Sequence, residues 1–514
     1  MDHECLKGMR LLLLNVALGM GTFIQILDTS IANVAIPYIA GNLSVSVDQG
    51  TWVITSFAAS NALVLPLTGW LSDYFGRVRL FVWSVLLFAL TSFLCGFSHS
   101  LTMLVICRTA QGAVAGSLIP LSQSLLMAYN PTEKQGSAMG FWSMIVVTAP
   151  VLGPIVGGYI TDVYSWPWIF YINVPIGIFS ALTVWFLVKD KAGDIVRNPI
   201  DWVGLFFLTV GVISLQVMLD KGKDLDWFES NVIIALTLVS AIALVYFFIW
   251  TYFQKYPIVD LSFFKIRNFT FGTIAITVGF LFYFATTVTI PLWLQTEQNY
   301  TPFWAGVAVA PVGVASMLLS NSVGKYMSNF DLRAIGALSF VFFALSFFYQ
   351  TNFTTQIELE TIMWNRFFQG FGLAFFFLPI VTLSLNGIPK ARYASASGLF
   401  HFIRVLVGSG FGTSLAIELW TRLEIFHHAR LTEANTIYEP STTQFYNYLS
   451  NFSTRFVPGV IDRVLDMKIE QQAYMLATND LAYLAAWGLL AMIPIIYLCK
   501  RVAPTSSQTK EAMH

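Results

Sequence analysis

The chain has 514 residues, is 56% hydrophobic and only 11% charged, and balances 28 basic residues against 28 acidic ones. A water-soluble globular protein carries roughly a quarter charged residues, so composition excludes that class and makes a lipid-embedded chain the expectation. The balanced charge gives no ground for a nucleic-acid partner, and the four cysteines (Cys5, Cys95, Cys107, Cys499) offer no disulfide framework.

A membrane-crossing helix needs about 20 mostly apolar residues. Fourteen stretches qualify, at about 11–36, 50–71, 79–98, 101–127, 136–160, 167–188, 201–219, 231–253, 269–293, 302–323, 333–350, 358–384, 395–419 and 479–499. The prediction is an all-α membrane protein with 14 transmembrane helices. Apolar stretches recur to the C-terminus and the first lacks a small-residue cleavage site, which excludes a lone cleaved signal peptide. An even number of spans puts both termini on one side. Segments on that side hold eighteen Lys and Arg and the other side seven, five of these in one long segment, while Arg108, Arg366 and Arg404 fall inside spans. Basic residues collect in cytoplasmic loops, so both termini are expected in the cytoplasm.

In chain order, the first span carries Asp28 and then Asn33, and the fourth carries Arg108 and Gln111. At 1.5 Å per residue both Asp28 and Arg108 lie ~10–12 Å below the outer surface, so they can meet if their helices are neighbours. A carboxylate at that depth is costly unless paired or protonated. Desolvation raises a carboxyl pKa by up to ~3–5 and a nearby guanidinium lowers it by ~1–3, so a change of helix contacts can switch such a group between its two forms. That makes the pair a candidate proton-coupling site; a static ion pair holding two helices is the other reading. Between the second and third spans, Gly69, Asp73, Gly76, Arg77 and Arg79 form a charged turn, with Gly76 permitting tight backbone geometry and the arginines anchoring at headgroups. The fifth span holds Gly153, Pro154, Gly157 and Gly158. Gly-xxx-Gly spacing lets backbones approach and proline loosens a helix, which suits either a bending seal or ordinary packing.

Later spans are less informative. Arg366 in the twelfth has no evident acidic partner, and His401 and Arg404 lie three apart near the inner end of the thirteenth, where snorkelling to the interface is the expectation. Glu418, near the outer end of that helix, is the reserve candidate for a second titrating site. In the long segment at about 420–478, Val460, Ile461, Val464, Leu465, Ile469, Ala473 and Leu476 recur at helical spacing, which predicts an amphipathic helix leading into the last span. It either caps the protein itself or docks on a partner.

The chain also repeats itself at an offset of roughly 255–258. Arg108-Thr109-Ala110-Gln111-Gly112, followed by Pro120, has a counterpart in Arg366-Phe367-Phe368-Gln369-Gly370, followed by Pro379; the loop signature has a worn one in Gly324-Lys325…Ser328…Asp331-Leu332-Arg333. This predicts two six-helix halves, 1–188 and 269–514, with two extra spans in the linker 189–268. Parallel halves place a substrate site between them near the midplane, and Asn33, Gln111 and Arg366 are the polar candidates for lining it.

Leu27-Asp28-Thr29-Ser30-Ile31-Ala32-Asn33-Val34-Ala35-Ile36-Pro37, Gly69 to Arg79, Arg108 to Gly112, Ala149 to Gly158, and Trp166-Pro167-Trp168-Ile169-Phe170-Tyr171-Ile172-Asn173-Val174-Pro175-Ile176-Gly177 appear together and in order. The chain thereby resembles the major facilitator superfamily over its whole length and, within it, the fourteen-helix drug:proton antiporters of the EmrB/QacA type. The sixth-span motif usually has a basic residue where Pro167 stands. The resemblance implies a major facilitator fold and a secondary transporter, not an enzyme, that exports hydrophobic or amphipathic toxic compounds (multidrug efflux, antibiotic resistance) across a bacterial inner membrane, driven by the proton motive force with no cofactor. It implies that Gly69, Asp73, Gly76, Arg77 and Arg79 form a conformational latch, topology anchoring being the alternative, and that Gly153, Pro154, Gly157 and Gly158 act as a hinge. The long outer segment favours the EmrB side, whose members work with a periplasmic adaptor (EmrA-type) and an outer-membrane channel (TolC-type). A dedicated exporter of one metabolite, lipid or siderophore is the alternative function. An intramembrane enzyme calls for clustered Asp/His pairs at a membrane face, and the sequence offers only Asp73 among arginines; neither a metal-ligand cluster nor a Gly-rich Lys-Ser/Thr phosphate loop is present.

Overall fold

In the computed structural model, residues 8–131, 134–189, 199–222, 225–255, 257–389, 392–436, 439–452 and 458–502 are described; Cys5 and Lys7 lie outside them, as does the Pro154 side chain. Thirteen helices are long and apolar enough to cross a membrane, and a bent pair makes the fourteenth. The spans are α1 (Gly8–Asn42), α2 (Trp52–Phe75), α3 (Arg77–Gly96), α4 (Leu101–Tyr129), α5 (Gln135–Val163), α6 (Trp168–Val188), α7 (Trp202–Lys221), α8 (Asn231–Phe253), α9 (Arg267–Thr296), α10 (Phe303–Tyr326), α11 (Leu332–Gln350), α12 (Leu359–Ser384), α13 (Tyr393–Ala434) and α14 (Val460–Tyr497). No strand occurs among the described residues. The face where α1 begins and α14 ends is called the terminal face, and the opposite one the loop face.

Helices α1–α6 form one bundle and α9–α14 the other, with α7 and α8 as a pair beside them. A Cβ on Gly211 of α7 would lie 2.7 Å from Leu244 Cδ2 of α8, and Ser240 Oγ donates to Gly211 O at 2.9 Å. Asp201 caps α7 by accepting from Gly204 N at 2.9 Å, and the same oxygen accepts from Trp250 Nε1 of α8 at 2.9 Å. The outer side of α8 exposes Ile242, Val245, Tyr246, Ile249 and Phe253, an apolar wall fit for lipid.

The two halves meet mainly toward the terminal face, through small residues. Gly69 of α2 abuts Ser395 of α13, and Gly136 and Gly140 of α5 abut Gly324 of α10, where an added Cβ on Gly140 would fall 2.8 Å from Gly324 Cα. Gly76, the turn between α2 and α3, has φ +83°, a conformation costly for any residue with a Cβ. Below these contacts a vestibule of about 1040 Å³ opens on the terminal face, lined among others by Arg77, Ser124, Asn130, Asn321, Thr382 and Tyr393.

In the segment 420–478 the expected helix leading into the last span is present, and the thirteenth helix runs further than expected. Helix α13 continues outward to Ala434, and the helix of α14 starts at Pro458, well before the predicted span. The two extensions pack together, with Trp420 Nε1 donating to Thr478 Oγ1 at 2.8 Å and His428 Nε2 3.1 Å from Asp466 Oδ1. The amphipathic pattern holds: Ile461, Ile469 and Ala473 are buried, whereas Asp462, Arg463, Asp466 and Glu470 are exposed.

Candidate functional site

Three local features bring the first-span carboxylate to its partners. Gly112 and Gly116 press α4 onto α2: a Cβ on Gly116 would sit 2.6 Å from Asn61 O, and one on Gly112 has no room beside Phe57 O. This close approach lets Arg108, one turn earlier, donate from Nε to Val53 O at 3.0 Å, with its guanidinium 4.3 Å above the Phe57 ring. Gly153 and Gly157 of α5 likewise leave no space beside Ser30 and Ile31 of α1, just past Asp28, and Ser30 Oγ donates to Pro150 O at 3.2 Å.

Asp28 and Arg108 form an ion pair, with 2% and 0% of their surfaces exposed. Asp28 Oδ1 accepts from Asn173 Nδ2 of α6 at 2.9 Å and from Gln111 Nε2 at 3.2 Å, while Arg108 Nη1 also donates to Gln111 Oε1 at 2.8 Å. Asn173 Nδ2 reaches Ser92 Oγ of α3 at 3.1 Å, which in turn donates to Phe170 O at 2.9 Å. Counting Val53 of α2, five helices thus contribute to one buried network. Three donors satisfy the carboxylate, and Arg108 among them supplies its counter-charge. Among the described residues, Arg108 Nη2 and Asn173 Oδ1 are buried without a hydrogen-bond partner, so the network holds spare polar capacity.

The second half repeats the frame without the acid. Arg366 donates to Gln369 Oε1 and Gln350 Oε1, each at 2.6 Å, its Nε has no hydrogen-bond partner among the described residues, and it is 1% exposed. Arg366 and Gln111 are 1% and 0% exposed and so do not open onto a cavity in this conformation, and a glutamine three residues along the helix accepts from each guanidinium; Asn33 is exposed. Glu418 is held by Arg422 in an ion pair and accepts from Trp227 Nε1 at 2.6 Å, which ties the α7–α8 connection to α13.

In the turn between α2 and α3, Asp73 and Arg77 feel each other's charge, Arg77 borders the vestibule, and Arg79 is exposed. The contact across the halves at this level runs through Gly69 and Ser395. Helix α5 bends by 41° between Gln135–Pro150 and Ile155–Thr161, the stretch that holds Gly153 and Pro154. Past the bend, Gly158 faces Phe303 of α10, with 4.0 Å from a built Cβ to Phe303 Cβ. His401 differs from its expectation. It is fully buried and bonded to α4 across the halves, because the thirteenth span begins at the inter-half seam rather than at lipid.

Residues 18–413 match the family model of the Major Facilitator Superfamily. The chain belongs to this superfamily. This transporter is 44% identical over 502 residues to the fatty acid resistance protein FarB of Neisseria gonorrhoeae, covering 97% of the chain and 98% of that protein. It is 43% identical over 500 residues to the multidrug export protein EmrB of Escherichia coli, covering 97% of each. Among solved structures, the human organic anion transporter TETRAN matches with a TM-score of 0.55 at 10% identity, over 94% of this chain and all of that one, a likeness of fold alone. Membership makes the chain a multi-pass membrane transporter and not an enzyme. Asn173, Ser92 and Gln350 carry no signal in the sequence that marks them as partners of these groups. The Arg108–Gln111 and Arg366–Gln369 pairs were available from their i, i+3 spacing on one helix face, whereas Asn173 and Ser92 meet Asp28 only through tertiary packing.

Proposed function

We propose that this transporter exports hydrophobic and amphipathic toxic compounds across a bacterial inner membrane in exchange for protons. The observation that carries the reading is Asp28: a carboxylate buried in a helical bundle, held by Arg108, Asn173 and Gln111 from two other helices. Its likeness to EmrB supports the substrate class. Lys and Arg concentrate on the terminal face, so that face is cytoplasmic. The conformation described here is then closed toward the cytoplasm. A proton entering from outside neutralises Asp28, frees Arg108 and lets α1, α4 and α6 shift; return of the proton to the cytoplasm resets them. One proton moving down ~100 mV releases ~2.3 kcal/mol and one pH unit adds ~1.4 kcal/mol, enough for a gradient of several hundred-fold in a neutral substrate. The Asp73–Arg77 turn acts as the latch of the closed cytoplasmic face and the α5 bend as the hinge. The α13–α14 extensions are the docking site for a periplasmic adaptor that leads to an outer-membrane channel. The test is export from proteoliposomes under an imposed pH gradient: Asp28→Asn abolishes it, and wild-type rates in that variant would refute the coupling role.

A second reading, a dedicated exporter of a single amphiphile, draws on the likeness to a protein named for fatty acid resistance. Competition in vesicles separates the two, since a dedicated carrier ignores unrelated dyes and antibiotics.

A further inference from the structure

Directly above the vestibule the halves are joined by a polar cluster that the Asp28 network does not include. Gln123 of α4 and His401 of α13 are each 0% exposed. Gln123 Oε1 accepts from Ser397 Oγ at 2.7 Å and lies 3.0 Å from His401 Nε2. Arg404 Nε donates to His401 Nδ1 at 3.2 Å, and its guanidinium sits 4.6 Å from the Phe280 ring centre and 5.4 Å from that of Phe377. Phe377 in turn stacks on Trp142 of α5 across the halves, ring centres 6.3 Å apart. Ser124 and Phe141, next in sequence to Gln123 and Trp142, line the vestibule, so this layer is its roof. From Arg404 to Phe411 the helix is wound as a π-helix, a distortion that occurs mostly in single turns and often marks functional sites.

One protonation state fits this geometry. A guanidinium only donates, so Nδ1 must offer a lone pair, and the proton of a neutral ring is on Nε2, donated to Gln123 Oε1. Among the described residues, besides Arg404 on its own helix, no charged or titratable side chain acts on the ring: α4 presents Gln123, α12 presents Phe377, α2 packs on this stretch of α13 through Leu65 and Thr68, and α9 presents Phe280 to Arg404. A second proton, on Nδ1, displaces the Arg404 hydrogen bond and sets an imidazolium against a guanidinium with no carboxylate between them. The closed roof is incompatible with that state.

We propose that His401 is a second proton-responsive residue of this transporter: neutral, it latches α13 to α4 and holds the halves shut above the vestibule; protonated, it lets them part. The proposal deepens the exchange reading and shares its premise that protons drive the conformational cycle. Proton uptake while the terminal face is closed then opens that face, the order an antiporter needs. His401 is a positioning residue; it acts on the halves and touches no substrate.

The test uses the full-length protein in lipid nanodiscs, with native cysteines replaced and spin labels at Met9→Cys and Phe330→Cys, residues exposed on opposite halves near the terminal face. All variants carry Asp28→Asn, so that the first coupling site is silent and a failure of its assigned role does not touch the readout. Between about pH 8 and about pH 5, the range in which a histidine exchanges its proton, the open-to-closed ratio should rise roughly five-fold or more. Adding His401→Gln should remove that rise. Gln123→Glu, which sets a carboxylate against the protonated ring, should hold the halves closed to a pH at least about one unit lower, and it decides the matter should His401→Gln fail to fold. No pH response with His401 present, an undiminished response in His401→Gln, or an unaltered midpoint in Gln123→Glu overturns the proposal.

Discussion

Gly69 of α2 and Ser395 of α13 stand so close that a Cβ on the glycine would lie 2.6 Å from Ser395 Cβ, and residues 255 further along and 255 back, Gly324 of α10 and Gly140 of α5, repeat the contact. The internal repeat seen in sequence thus appears as a pair of matching cross-half seams on the terminal face. Each seam consists of backbone and small side chains, so the halves can close fully there and part without unpacking large groups.

Gly69→Leu and Gly324→Leu should both hold the terminal face open. Overpacking costs about 1–3 kcal/mol, and 1.4 kcal/mol is about a factor of ten in population. The Gly324 change should be the more severe, because its neighbours at 2.6 Å are Gly136 O and Gly140 Cα, backbone that cannot rotate away. Cysteine accessibility at a position sealed in this conformation, such as Ser320 (1% exposed), reads the outcome; unchanged labelling in both variants would contradict the seam.

Arg108→Ala strands the Asp28 carboxylate in the bundle and should lower stability by about 3–5 kcal/mol. Restoring neutrality with Asp28→Asn in the same chain should recover part of that loss, which thermal unfolding in detergent measures. Equal stability of the single and double variants would mean that Asp28 is already neutral when folded.

Arg366→Met should be far milder than Arg108→Met. Its guanidinium donates to Gln350 and Gln369, so the change leaves amide oxygens unpaired, at about 0.6–2 kcal/mol each in a membrane bundle, and no orphaned charge. A matched pair of melting curves decides this.

Asn173→Ala removes donors to Asp28 and to Ser92. With that amide gone, α6 loses its hold on the Asp28 carboxylate and on Ser92 of α3, so export driven by a pH gradient should fall while the protein still folds. An undiminished rate would reduce Asn173 to a packing role.

Asp331 caps α11 by accepting from Arg333 N at 3.0 Å and pairs with Arg333 Nη2 at 2.8 Å, which holds its carboxyl below the ordinary carboxylate range. Asp331→Ala should cost about 0.5–2 kcal/mol. Because the folded value is depressed, the contribution is complete above the unfolded value of about 3.9 and is lost as pH falls through the folded one. Melting temperatures of wild type and variant should therefore differ at neutral pH and converge in acid.

Much of this architecture was legible because lipid constrains sequence so strongly. The spans follow from apolar length, and Asp28 and Arg108 stand out because an ionised group in such a stretch needs a partner. The helix over 460–476 was readable from its period, but the outward extension of α13 to Ala434 was not. Hydropathy registers where the apolar stretch ends, not where the helix ends, and Glu424, His427, His428 and Arg430 mask that continuation. Long-range choices were hidden for another reason. Nothing local to His401 says that it faces Gln123, 278 residues away, rather than the interface, because the seam between the halves exists only after both have folded.

The outward extension of α13 has a mechanical consequence. From Gly412 to Ala434 the helix is 23 residues long, or about 35 Å at 1.5 Å per residue, and it is braced by its antiparallel neighbour along that length. Such a braced rod works as a lever arm: a tilt of ~10° in the half it is rooted in swings its tip by ~6 Å. Whichever way the membrane-embedded core has rocked is thereby displayed, magnified, at a height where another molecule can feel it.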